Sequence, residues 1–224
     1  MLEWVIRNST WLMVMAVAFT IAAIGIAATF EPTPEAAFIA ARQMYGLTAL
    51  GVLLGACIIG PLTAVFPRMP LRRILMANRR SIGVSACIFV VPHIVCYLWP
   101  MFSLGWRELF NHGNLWVVGL SLGFLPFVNL SILAWTSRDA SVKSLGGRRW
   151  KQLHRTVYAI VPVVLLHAVL VGADFGFATQ SKGEPDYGSL VIFSIFTSVW
   201  VMLFGLRYRG VQWPTRSRIQ SKQI

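Results

Sequence analysis

The chain has 224 residues, of which 56% are hydrophobic and only 12% charged, with a formal net charge of +12. Apolar residues at that density, gathered into runs of about 20, exclude an ordinary soluble domain and place the chain in the membrane class. The positive charge falls between the runs, with no basic patch interleaved with stacking aromatics. That excludes nucleic acid as a partner and leaves membrane lipid as the surroundings of the apolar faces.

Six spans follow in chain order. They are predicted over Trp11–Thr29, Tyr45–Val65, Ser81–Trp99, Leu115–Trp135, Gln152–Gly172 and Ser189–Arg207. Each has about 19 to 21 residues, enough at about 1.5 Å per residue to cross a hydrocarbon core of about 30 Å. The runs are continuously apolar, without the period of two that a barrel strand needs. The first span has the look of a signal peptide but lacks a small-residue cleavage site, so it is kept as a helix. The expectation is an all-α membrane protein: one transmembrane domain over residues 1–224, a bundle of six transmembrane helices.

The basic residues set the orientation. Seventeen of the 20 Lys and Arg lie on one side, at Arg7, between Arg68 and Arg80, between Arg138 and Arg155, and from Arg207 to Lys222. The other side holds only Arg42, Arg107 and Lys182, together with six of the eight acids. By the positive-inside rule the richer side is cytoplasmic, and both termini are cytoplasmic with it.

Histidine is costly in lipid, so an intramembrane one is a functional candidate. The chain has four. His93 lies about 18 Å into the third span and His167 about 22 Å into the fifth, both from the cytoplasmic side. At that matched depth two imidazoles can bracket one haem iron axially. Such a site has no open coordination position and suits electron transfer. The plainer reading is that each ring bonds a neighbouring carbonyl or hydroxyl. His154 stands about 20 Å along the helix from His167 and about 140° around it, so the two should not share a haem. It is a candidate ligand for a second haem, a propionate contact or a contact for a cytoplasmic flavin or quinol, or else a headgroup-facing residue. His112 sits in an outer loop and reads as solvated.

Arg79, Arg80, Arg148, Arg149 and Arg155 surround the cytoplasmic ends of the third and fifth spans. They can bind propionates, a flavin phosphate or an acidic donor protein, and they also satisfy the orientation rule with no further role. Two GxxxG pairs, Gly51/Gly55 and Gly119/Gly123, read as generic close packing. Pro61, Pro92, Pro126 and Pro162 predict kinks inside spans. Cys57, Cys87 and Cys96 have no metal-binding spacing and read as small buried residues.

Two blocks carry a family resemblance. In the first, Arg79, Arg80 and Gly83 precede His93. In the second, Thr136, Ser137, Leu145, Gly146, Arg149, Trp150, Leu153, His154 and Tyr158 precede His167. Pro61 and Leu62 fit as well. Together these resemble the ferric-reductase-like transmembrane domain over about residues 45–172. Within it they resemble the bacterial MsrQ (YedZ) group, the haem-binding subunits of periplasmic methionine-sulfoxide reductase. Pro92, the Gly146–Gly147 pair and a long outer loop, Asp174–Tyr187, depart from that pattern.

The resemblance implies b-type haem, one or two per chain, held by His93 and His167, with His154 as a further candidate. A flavin mononucleotide (FMN) is also associated with the family. The function it implies is electron transfer across a bacterial inner membrane. The donor would be a cytoplasmic flavin reductase or quinol, and the acceptor a periplasmic molybdenum-cofactor protein that reduces methionine sulfoxide. The chain carries no Gly-rich dinucleotide fingerprint, so NAD(P)H would need a separate protein to accept its hydride. Two other readings are a haem-free membrane scaffold of a larger redox assembly and a ferric or quinone-linked reductase. A transporter is disfavoured, because no acid or Lys lies mid-span.

Overall fold

The structure is a computed structural model describing residues 10–99, 105, 114–171 and 187–220. His112 and all but the last residue of the loop Asp174–Tyr187 lie outside the described residues. Every described element is helical: α1 Thr10–Phe30, α2 Pro34–Val65, α3 Arg72–Leu98, α4 Asn114–Trp135, α5 Asp139–Arg155, α6 Val157–Val171 and α7 Tyr187–Gln220. Six stretches are long and apolar enough to cross a membrane, with α5 and α6 counted as one. The protein is a multi-pass membrane protein.

The helix ends differ from the hydropathy boundaries for local reasons. α2 begins at Pro34 rather than Tyr45. Thr33 caps it by accepting the Ala36 N–H at 3.2 Å, Pro34 occupies the first turn and Glu35 faces the helix dipole. α3 begins at Arg72, so its first turns are basic rather than apolar. A hydropathy window sees the apolar run, whereas the helix is fixed by caps and backbone hydrogen bonds that extend beyond it.

The fifth predicted span is two helices. α5 is amphipathic, basic and without a buried residue, and it ends at Arg155. Thr156 breaks the register, with its N–H bonded to the Leu153 carbonyl at 3.1 Å and its carbonyl accepting the Ala159 N–H at 2.9 Å. The rotation and rise predicted between His154 and His167 assumed one continuous helix and are corrected by this break. Within α5, Gly146 has φ 71° and ψ 147°, a conformation that side chains other than glycine rarely adopt. The glycine pair at 146–147 is therefore a bend in α5.

α2 is the central helix. It packs against α1, α3 and α7, while α4 packs chiefly on α6. Tyr45, Val161 and Leu203 are fully buried in this interior. Large apolar side chains face outward, such as Ile21 on α1, Phe124 on α4 and Val191 on α7. That is the expected exterior of a bundle whose solvent is lipid.

Pro61 shows how a broken backbone ladder is repaired. It has no N–H for the Cys57 carbonyl, one turn earlier. The Tyr158 hydroxyl, from α6, donates to that carbonyl at 3.2 Å instead. Beside it, Arg79 donates from Nε to the Ala56 carbonyl at 3.2 Å and from Nη2 to the Tyr158 hydroxyl at 3.3 Å. The Arg207 guanidinium covers the Tyr158 ring at 4.0 Å. Four helices thus meet at one satisfied polar cluster.

Candidate functional site: two facing histidines

His93 on α3 and His167 on α6 face one another, with ring centroids 6.4 Å apart and ring planes at 82°. Their helices are not among those in close backbone packing, so the rings reach across a space between α3 and α6. Both side chains are partly buried.

Each ring is fixed the same way. His93 Nδ1 lies 2.9 Å from the Arg42 carbonyl oxygen, and His167 Nδ1 lies 2.7 Å from the Gly119 carbonyl oxygen. A carbonyl only accepts, so Nδ1 donates in both and Nε2 keeps its lone pair. The plainer sequence reading, a ring bonded to a carbonyl, is what is found for each. The carbonyl takes one nitrogen and leaves the other with its lone pair free. This is the outer-shell contact that orients metal-bound histidines and raises their basicity.

The ring separation would suit one metal between the two imidazoles. A metal–imidazole bond is about 2 Å and the ring nitrogen stands roughly 1 Å from its centroid, so two such rings have centroids about 6 Å apart. The observed separation is 6.4 Å. No group of three or more His, Cys, Asp or Glu gathers elsewhere among the described residues. The three cysteines are free, with Cys57 and Cys96 buried.

His154 is arranged differently. Its Nε2 lies 3.2 Å from the Thr136 hydroxyl, which donates its own proton to the Ile132 carbonyl at 2.7 Å. The hydroxyl must therefore accept, so His154 donates from Nε2. The Trp150 ring stacks on it at 4.1 Å, and Trp150 Nε1 donates to the Thr136 carbonyl at 2.9 Å. These contacts tie α5 to the end of α4.

The arginines also separate. Arg79 belongs to the Tyr158 cluster. Arg80 pairs with Asp139 at 2.6 Å, while its Nε and Nη2 are buried and meet no acceptor among the described residues. Arg149 is exposed on α5. The sequence reading missed Arg42, whose backbone holds His93 and whose guanidinium lies 5.6 Å from the Tyr97 ring. It also missed Gly46. The available signal was a repeated spacing: Arg42/Gly46 and Gly119/Gly123 are both four apart on helices that flank a histidine helix.

Residues 45–165 match the ferric reductase like transmembrane component family. The chain belongs to that family. The match spans α2 to α6 and contains His93 and His154, ending two residues before His167. The protein-methionine-sulfoxide reductase heme-binding subunit MsrQ of Herminiimonas arsenicoxydans is 31% identical over 205 residues, covering 78% of this chain and 88% of that protein. The MsrQ of Azospira oryzae is 28% identical over 217 residues, covering 84% and 89%. The magnetosome protein MamZ of Magnetospirillum gryphiswaldense is 31% identical over 153 residues, covering 67% of this chain. The chain spans only 20% of that MamZ, and 21% of its counterpart in Paramagnetospirillum magneticum.

Proposed function

We propose that the protein is a haem b electron-transfer subunit of a bacterial inner membrane, with both termini and the basic loops in the cytoplasm. The facing pair His93 and His167 carries the reading. Both Nδ1 atoms are held by carbonyls, both Nε2 atoms are left as donors, and the ring separation suits one metal. Haem bound there would be held by His93 and His167 and would supply one-electron chemistry. The chain's own residues fix the rings, keep the surroundings apolar and exclude substrate from the metal.

The MsrQ relatives are named as heme-binding subunits of protein-methionine-sulfoxide reductase. The corresponding role here is to take electrons from a cytoplasmic flavin reductase or quinol. A periplasmic molybdenum-cofactor protein would then use them to reduce methionine sulfoxide. Arg79, Arg80 and Arg149 stand at the basic end. Arg80's two unpaired nitrogens are suited to an anionic group such as a propionate or the phosphate of FMN. His154 would ligate a second haem only after its Nε2 leaves Thr136.

The relay is tested with purified protein in sealed vesicles. An impermeant reductant is added on the basic side and ferricyanide is trapped inside. The account expects ferricyanide reduction with the wild type and none with His93→Ala or His167→Ala; equal rates in all three would overturn it. Haem per chain decides the role of His154, since a fall from two to one in His154→Ala would establish a second haem there. The family's name favours ferric iron as another acceptor. Loss of periplasmic methionine-sulfoxide repair on gene deletion would favour the protein acceptor instead.

A further inference from the structure

We infer that Gly46 and Gly123 are positioning residues for the histidine pair. Each is a helical site where the missing side chain lets an imidazole reach the carbonyl four residues earlier. The inference rests on the ligand reading above.

The carbonyls that hold the two rings belong to Arg42 and Gly119, and the residue four further on is glycine in both helices. In an α-helix the carbonyl of one residue lies beside the Cβ of the residue four later, so a side chain there covers the acceptor. The contacts follow this geometry. A Cβ added at Gly46 would stand 3.0 Å from His93 Nδ1 and 3.1 Å from Cε1. One added at Gly123 would stand 2.5 Å from His167 Cε1 and 2.6 Å from Nδ1. The atoms struck are Nδ1, which makes the hydrogen bond, and its neighbour Cε1, so a ring that shifts to make room lengthens or bends that bond. The other histidine's ring centroid stands 6.4 Å away, across the space between the helices. Glycine and carbonyl together set where each ring sits.

Elsewhere on the described membrane helices, Gly60 admits Arg79 to the Ala56 carbonyl in the same way, but no other glycine there admits an imidazole. Cβ atoms added at Gly25 or Gly55 meet nothing within 4 Å, and one at Gly51 meets only Phe196 at 3.8 Å. The two GxxxG pairs therefore differ in kind. Gly51/Gly55 is loosely packed. In the other pair, Gly119 lets Leu170 and Val171 of α6 approach and supplies the carbonyl, while Gly123 admits the ring.

Outer-shell changes at a metal-bound histidine typically cost about 10–100-fold in affinity. The test compares full-length Gly46→Ala, Gly123→Ala and Gly55→Ala with the wild type. Haem affinity is measured by titration, and ligand geometry by electron paramagnetic resonance of the oxidised protein. Gly55→Ala should match the wild type. Gly46→Ala should bind haem about tenfold more weakly, with a shifted low-spin signal. Gly123→Ala, the tighter clash, should lose more or turn high-spin. If Gly123→Ala does not fold, Gly46→Ala decides alone. Wild-type affinity and signal in the glycine variants that fold, with haem lost in His93→Ala and His167→Ala, would overturn the positioning inference only. A wild-type chain without haem, or histidine variants that keep it unchanged, would remove the ligand reading and this inference with it.

Discussion

Replacing Tyr158 by Phe tests whether the Pro61 break is repaired from a neighbouring helix. Tyr158 is buried, at 8% exposure, and its hydroxyl makes the bonds to the Cys57 carbonyl and Arg79 Nη2. Tyr158→Phe strands both groups. A buried group left without its partner costs about 1–3 kcal/mol. The Arg79 bond is long, at 3.3 Å, and its half-buried guanidinium can turn, so its loss belongs at the low end. The Cys57 carbonyl has no N–H to fall back on, because Pro61 stands where one would come from. The total expected is about 2–3 kcal/mol. In a Pro61→Ala background the restored N–H returns to that carbonyl, and Tyr158→Phe should cost only about 1 kcal/mol. Unfolding of the single and double variants in mixed micelles, followed by tryptophan fluorescence, measures the difference. Equal costs in the two backgrounds, within about 0.5 kcal/mol, would refute the repair.

Three further outcomes follow from the same geometry. Gly146→Ala forces an L side chain into φ 71° and should cost about 1–3 kcal/mol in unfolding experiments, without changing haem content. Thr136→Val removes the acceptor of the His154 Nε2 proton; it should destabilise the α4–α5 corner by about 1 kcal/mol and leave the His93/His167 absorbance unchanged. A green fluorescent protein fused after Ile224 should be fluorescent in a bacterial host if the proposed orientation, with that end in the cytoplasm, holds; a dark fusion with an active alkaline phosphatase counterpart would reverse the orientation.

The spans were legible because lipid imposes one requirement on every residue of a run, and a hydropathy window measures that requirement. His93 and His167 stood out for a related reason, since imidazole is rare at that depth. The amphipathic helix α5 was not legible in the same way. Its residues are polar and basic, and its bend depends on the backbone angles of Gly146. The break at Thr156 likewise comes from side-chain bonds, since the Thr156 hydroxyl donates to the Leu153 carbonyl at 2.8 Å and accepts from Asn129 Nδ2 at 2.9 Å. Gly46 was invisible because its role depends on a histidine 47 positions away, brought close only by the packing of α3 on α2. Tyr158 was noticed as part of a motif, but its link to Pro61 needs the meeting of two helices.

The most direct measurement is the reduced-minus-oxidised absorption spectrum of the purified chain, with haem quantified, for the wild type, His93→Ala and His167→Ala. The account predicts b-type bands and at least one haem per chain in the wild type, and loss of the Soret band in each variant. A colourless wild type, or full haem retention in both variants, would contradict it.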